Sequence, residues 1–145
     1  MRTILTVLVG TVLLLPATAA AQNSRWHTQV RAQLDRFGTL VTERGYHQTH
    51  QIKTGSLRER ENEYLSLELD AGREYALLGV CDEDCSDIDL RLFDQDGDEV
   101  DADVETDDYP VVSVRPDRTA RYRVKVIMAT CSTSPCFYGV GVYAK

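Results

Sequence analysis

The chain has 145 residues, of which 43% are hydrophobic and 27% charged, with a formal net charge of −7 at pH 7. That size suits one domain able to bury a single core. The acidic balance, and the lack of a basic groove interleaved with aromatics, disfavour nucleic acid as a partner.

The chain opens with MRTILTVLVGTVLLLPATAAA, residues 1–21. Arg2 is a short basic region, Ile4 to Leu15 an apolar stretch, and Ala19-Ala20-Ala21 a run of small residues. This is the form of a secretory signal peptide cut before Gln22, with an apolar run too short to anchor in a bilayer. The expectation is a periplasmic or secreted protein with no membrane insertion after cleavage. No Cys stands at the cut, so lipid attachment there is not expected.

Residues 22–45 are expected to form an N-terminal helix. Ser24 can cap it, and Trp26, Val30, Leu34, Phe37 and Val41 recur at three- and four-residue steps. That stripe is suited to packing on the rest of the domain, because the polar face mixes both signs. Gly45 fits the stop. Gly38 inside the pattern weakens the helix locally.

From residue 46 the period changes to two. His47–Leu57 reads as a first strand. Leu65, Leu67 and Leu69 then share one face, and Tyr75–Val80 is more continuously apolar. Ile88, Leu90 and Leu92 alternate, as do Val100, Ala102 and Val104, and both sets are expected to point inward. Three further stretches, 110–114, 122–128 and 137–143, complete about eight short strands with turns every ten residues or so. This is the signature of an all-β fold, an antiparallel jelly-roll-like β-sandwich over residues 46–145, preceded by one helix.

In an exported chain four Cys read as disulfides rather than metal or redox thiols. Cys81 with Cys85, and Cys131 with Cys136, is the simplest of three connectivities. Each small loop is worth about 2 kcal/mol in the chain-entropy view. A four-cysteine zinc site is disfavoured by export and by the surrounding hard carboxylates.

The unusual segment is CDEDCSDIDLRLFDQDGDEVDAD, residues 81–103. Residues 81–108 hold 14 acids against one base, Arg91. An EF-hand alignment would place Leu92 at its first ligand position, so the segment is not an EF-hand. It reads as a hairpin with Gln95-Asp96-Gly97 as a three-residue loop, Gly97 left-handed. The matching register sets Leu92 against Val100, Leu90 against Ala102 and Ile88 against Val104. It also sets Arg91 against Asp101, Asp89 against Asp103 and Asp87 against Glu105, the last two unfavourable by a fraction of a kcal/mol each. Three things can offset such a ladder: screening by water and salt, a neighbouring basic strand carrying Arg121, Arg123 and Lys125, or a calcium ion among Asp82, Asp84, Asp87, Asp89 and Asp103.

No nucleophile motif is present. His27, His47 and His50 lie outside any Gly-x-Ser-x-Gly or His-Glu-x-x-His context, and no carboxylate pair sits in an apolar frame. An enzyme is therefore not expected.

Four stretches carry a resemblance: LSLELDAGREYALLGV, DIDLRLFDQDGDEV, DDYPVVSVRPDRTARYRVKVIM and the closing YGVGV. Between Gly55 and Tyr143 the chain resembles the bacterial pre-peptidase C-terminal domains and the related collagen-binding domains of secreted collagenases. The resemblance implies a non-catalytic jelly-roll sandwich that assists secretion or binds substrate, sometimes with calcium. Three departures from that pattern are expected: no attached enzyme domain, a helix ahead of the sandwich, and two added Cys pairs. The reading of function is thus an exported binding or accessory module, calcium-assisted if the acidic cluster holds the ion. It would recognise an envelope or extracellular protein or glycan through the acidic face or through Tyr46, Tyr64 and Tyr109. The alternative is a structural or stress-type envelope protein with no dedicated ligand.

Overall fold

The computed structural model of the chain describes the backbone from residue 18 and side chains from residue 25. The expected signal peptide lies mostly outside the described residues.

Helix α1 runs Thr18–Thr42. It begins six residues before Ser24, which is therefore inside it and not its cap. The Ala-rich stretch 19–21 offers no break, and alanine is the strongest helix former. At the other end Gly45 sits at φ +85°. Its N–H reaches the Thr42 carbonyl at 3.0 Å and the Tyr46 N–H reaches Val41 at 3.1 Å, the paired bonds of a Schellman stop.

Nine strands follow: β1 (His47–Gln48), β2 (Lys53–Leu57), β3 (Asn62–Leu69), β4 (Tyr75–Cys81), β5 (Cys85–Phe93), β6 (Glu99–Asp103), β7 (Val111–Val114), β8 (Ala120–Cys131) and β9 (Cys136–Ala144). They form two antiparallel sheets. One has β9 flanked by β4 and then β7, with β1 and β2 both on the opposite edge of β9; the other runs β3-β8-β5-β6. The first strand expected over 47–57 is split in two. His47 pairs with Ala144 and Lys53 with Val140, so the outer chain gains two residues over β9 between those points. Within the break the Thr49 N–H still donates to the Val142 carbonyl of β9 at 2.9 Å, and the His50 ring meets Thr49 Oγ1 at 2.8 Å and the Glu68 carbonyl at 3.0 Å.

Period-two burial follows from the sandwich. Leu67 and Leu69 of β3, Ile88, Leu90 and Leu92 of β5, and Val124, Val126 and Met128 of β8 fill the space between the sheets. β4 and β9 are buried on both faces, because α1 covers the outside of their sheet with Val30, Leu34 and Val41 against Leu78, Val80 and Tyr143. This explains the continuous apolar run of β4. It also explains the glycines of β9. A Cβ on Gly139 would stand 2.4 Å from Val30 Cγ1, so the helix lies on bare backbone. Gly38 answers from the helix side, where a Cβ would press on the Tyr143 ring at 3.3 Å. The Tyr143 hydroxyl, pushed up to about 12 by burial and then by the charge of Asp35, donates to the Leu34 carbonyl at 3.0 Å.

Both disulfides have the local pairing, Cys81–Cys85 and Cys131–Cys136. Each joins one sheet to the other, β4 to β5 and β8 to β9, and Cys85 and Cys131 are register partners. The two staples therefore share one end of the sandwich.

Candidate functional site

The acidic hairpin forms its expected loop. Gly97 has φ +94°, Asp94 and Asp98 close the loop at 2.9 Å, and Asp94 Oδ1 accepts from the amides of Asp96, Gly97 and Asp98. Beyond it the expected register fails. Phe93 pairs with Glu99, but Leu92 pairs with Asp101, Arg91 with Ala102 and Leu90 with Asp103. Val100 is an extra residue, a bulge, and one extra residue reverses every later side chain. Val100 and Val104 are consequently 42% and 49% exposed, and Ala102 is exposed too, while Asp101 and Asp103 turn toward the neighbouring sheet.

Those two carboxylates have backbone partners. Asp101 Oδ2 accepts from the Ser113 N–H at 2.7 Å and Asp103 Oδ2 from the Val111 N–H at 2.8 Å. Both donors belong to β7, the edge of the other sheet, so the acids join β6 to β7 across the open corner. Buried apolar contacts win on one side of β5 while paired charge wins on this side. Edge donors left unsatisfied would be costly, and two short charge-assisted bonds outweigh the exposure of two valines.

The expected acid ladder is absent as drawn. In the shifted register Leu90, not Asp89, is the partner of Asp103, and Arg91 that of Ala102, although, behind burial and Asp87, the charge of Asp103 still helps to push the Asp89 carboxyl up. Arg91 bonds Glu99 at 2.9 Å, not Asp101. Among the described residues Arg121, Arg123 and Lys125 form no salt bridge with these acids; Arg123 and Lys125 flank the Tyr64 ring at 5.4 and 5.7 Å, and the Arg123 guanidinium also lies beside Gly97 of the acidic loop. Among the described residues no group of three or more His, Cys, Asp or Glu is arranged to hold a metal ion. Of the five carboxylates expected around calcium, Asp82 and Asp103 bind amides of Phe137 and Val111. Asp84 receives Ser132 through its backbone carbonyl. Asp87 is pushed up by burial and then by Asp107, and Asp89 by burial and then by Asp87.

The tyrosines do not form one surface. Tyr64, 50% exposed, lies on the four-stranded sheet beside Phe93. Tyr109, 56% exposed, lies near the helix. Tyr46 is half buried, its hydroxyl bonded to Glu74 under Lys145. The histidines are similarly dispersed. His27 packs on Phe137, His47 is exposed in β1, and His50 bonds backbone.

The structure brings together instead a cleft between α1 and the sandwich. Gln29, Gln33, Arg36 and Leu40 recur at four- and three-residue steps, a second stripe beside the buried one, and form one wall. The cleft has two halves that share Gln33, Arg36 and Tyr109. The apolar half, about 290 Å³, is floored by Leu78 and Val80 with Phe37, Leu40 and Val111 around it. The acidic half, about 440 Å³, runs past the Cys81–Cys85 turn with Asp82, Glu83 and Asp108.

Asp82 is the exceptional residue. It is 2% exposed, the one buried charged residue among those described. Oδ2 accepts from the Phe137 N–H at 2.8 Å, while Oδ1 has no partner in hydrogen-bonding geometry. Burial pushes its carboxyl up, as does Asp84, and the amides of Phe137, Asp84 and Cys85 pull it partly back. Gln33 is its counterpart on the helix. Its Nε2 donates to the Cys81 carbonyl at 2.9 Å, and its Oε1 is buried without a partner. Glu83 is held at the surface by Arg25 at 3.0 Å. Asp82 and Tyr109 are among the candidates expected from the sequence, whereas the cleft that both line is not. The signal available was Leu40, a large apolar residue beside the buried helix stripe; it is 66% exposed.

Fold and site together define a class: a disulfide-stapled, helix-covered β-sandwich with a half-apolar, half-acidic cleft. Neither a known family model nor a curated protein matches the chain.

Proposed function

We propose that this protein is an exported, non-catalytic binding module that recognises another protein through the cleft between α1 and the sandwich. The observation that carries the reading is the pairing, in one cleft, of two buried acceptors without partners and an exposed apolar rim of Leu40, Tyr109 and Val111. Exposed apolar side chains beside convergent polar groups are what a recognition site needs. Two disulfides suit an oxidising compartment, in keeping with export by the signal peptide proposed for residues 1–21. Among the described residues no helix is long and apolar enough to cross a membrane. A non-catalytic role is in keeping with the placement of the histidines: His27 packs on Phe137, His50 bonds backbone and His47 is exposed in β1.

The test is retention from envelope extract by the exported protein and by Leu40→Asp, each with calcium and with chelator. Leu40 is exposed enough for the substitution to leave the fold intact. The expected result is a partner held by the wild type, lost with Leu40→Asp, and indifferent to calcium. Equal retention by both proteins, or none by either, would overturn the reading.

A further inference from the structure

Resting on that reading, we propose the chemistry of the occupant: the ammonium or guanidinium of a Lys or Arg side chain, presented by a partner protein on an apolar segment.

The argument begins with what the acidic half lacks. Asp82 Oδ1 and Gln33 Oε1 are both acceptors, both buried, and both without a donor among the described residues. A buried acceptor left unmatched costs about 1–3 kcal/mol, more when charged, so the site favours whatever brings donors. Water brings two, an ammonium three and a guanidinium five in a planar fork. A cation also neutralises the buried Asp82 charge, which water cannot do. Asp108 and Glu83 add negative potential at the mouth, and Glu83 already holds one guanidinium there, that of Arg25. Arg36, at the junction of the two halves, sets the limit of the cation's position, since a second positive charge must stay on the Asp82 side of it.

The apolar half decides between a protein side chain and a free amine. Leu78, Val80, Phe37 and Leu40 offer nothing to a polyamine, whose charges recur every few carbons. They suit the aliphatic stem and apolar neighbours of a basic residue in a peptide.

The experiment titrates the ¹⁵N-labelled protein, purified after export with its disulfides intact, with acetyl-Leu-Arg-Leu amide. The isosteric neutral control is acetyl-Leu-citrulline-Leu amide, and spermidine is the free-amine arm. Saturable shifts are expected at the amides of residues 78–85, with the Arg peptide bound about ten-fold more tightly than the citrulline peptide. Asp82→Asn keeps an acceptor for the Phe137 amide and is expected to abolish that preference. Should it fold poorly, Asp108→Asn, on a loop, is expected to reduce the preference about three-fold. Equal binding of the two peptides at the cleft overturns the cation while leaving the cleft reading in place. Spermidine binding as tightly as the Arg peptide overturns the protein side chain as its source. Shifts confined to the Tyr64 face, or no saturable shift, overturn both.

Discussion

Replacing Asp101 and Asp103 tests the corner where β6 meets β7. In the observed register each carboxylate accepts one β7 amide, at 2.7 and 2.8 Å. Hydrogen bonds to charged groups contribute about 1.5–3 kcal/mol, and partial exposure of both acids places them at the lower end. The double substitution to Ala is therefore expected to cost about 2–3 kcal/mol, and the double Asn variant about half, because the amide oxygen still accepts. The bulge-free register predicts the opposite sign. It sets Asp103 against Asp89, so Asp103→Asn alone would relieve repulsion and stabilise. Urea unfolding gives the sign and size. Hydrogen exchange localises it, with Val111 and Ser113 amides expected to exchange about ten-fold faster for each 1.4 kcal/mol lost locally. A double Ala variant within about 0.5 kcal/mol of wild type, with those two amides as protected as before, would refute the reasoning.

Gly139→Ala puts a methyl 2.4 Å from Val30 Cγ1 and is expected to cost about 1–3 kcal/mol. Loss of Trp26 and helix signals ahead of strand signals on heating would show α1 lifting first; a single unchanged transition would argue against the close approach. Asp87 has its carboxyl pushed up in the folded state, so the native protein holds that proton over a window where the unfolded chain has lost it. Stability then falls as pH rises through that window. Asp87→Asn is expected to raise neutral-pH stability by about 0.5 kcal/mol, with the gain shrinking as pH falls below the ordinary Asp range; a loss at pH 7 contradicts this. Removing Cys131 and Cys136 together is expected to cost about 2 kcal/mol for so short a loop, read as a lower midpoint in denaturant under non-reducing conditions.

Much of the fold was legible because burial has a period. The stripe from Val30 to Val41, the alternation of Ile88, Leu90 and Leu92, and the double-sided burial of β4 are each visible as spacing. Gly45 and Gly97 announced their turns because each adopts positive φ. The β6 register was not legible. Val100, Ala102 and Val104 alternate as a buried face would, and only the free amides of β7, 8 and 12 residues away, decide that the acids turn inward. The cleft was invisible for a similar reason. Its halves come from α1, β4, the 81–85 turn and the 108–111 segment, and no local pattern records that Gln33 will stand beside Asp82.

The placement of the two disulfides has a mechanical consequence. Both cross from sheet to sheet at one pole, and the acidic half of the cleft is built on one of those bridged turns. The far pole, where Glu74 and Lys145 exchange backbone bonds at 3.1 Å, carries no covalent link. Thermal breathing should thus be graded along the long axis of the molecule, greatest where the chain ends and least where Asp82 sits. A receptor for a charged group gains from being at the stiff end, since little ordering remains to be done when its guest arrives.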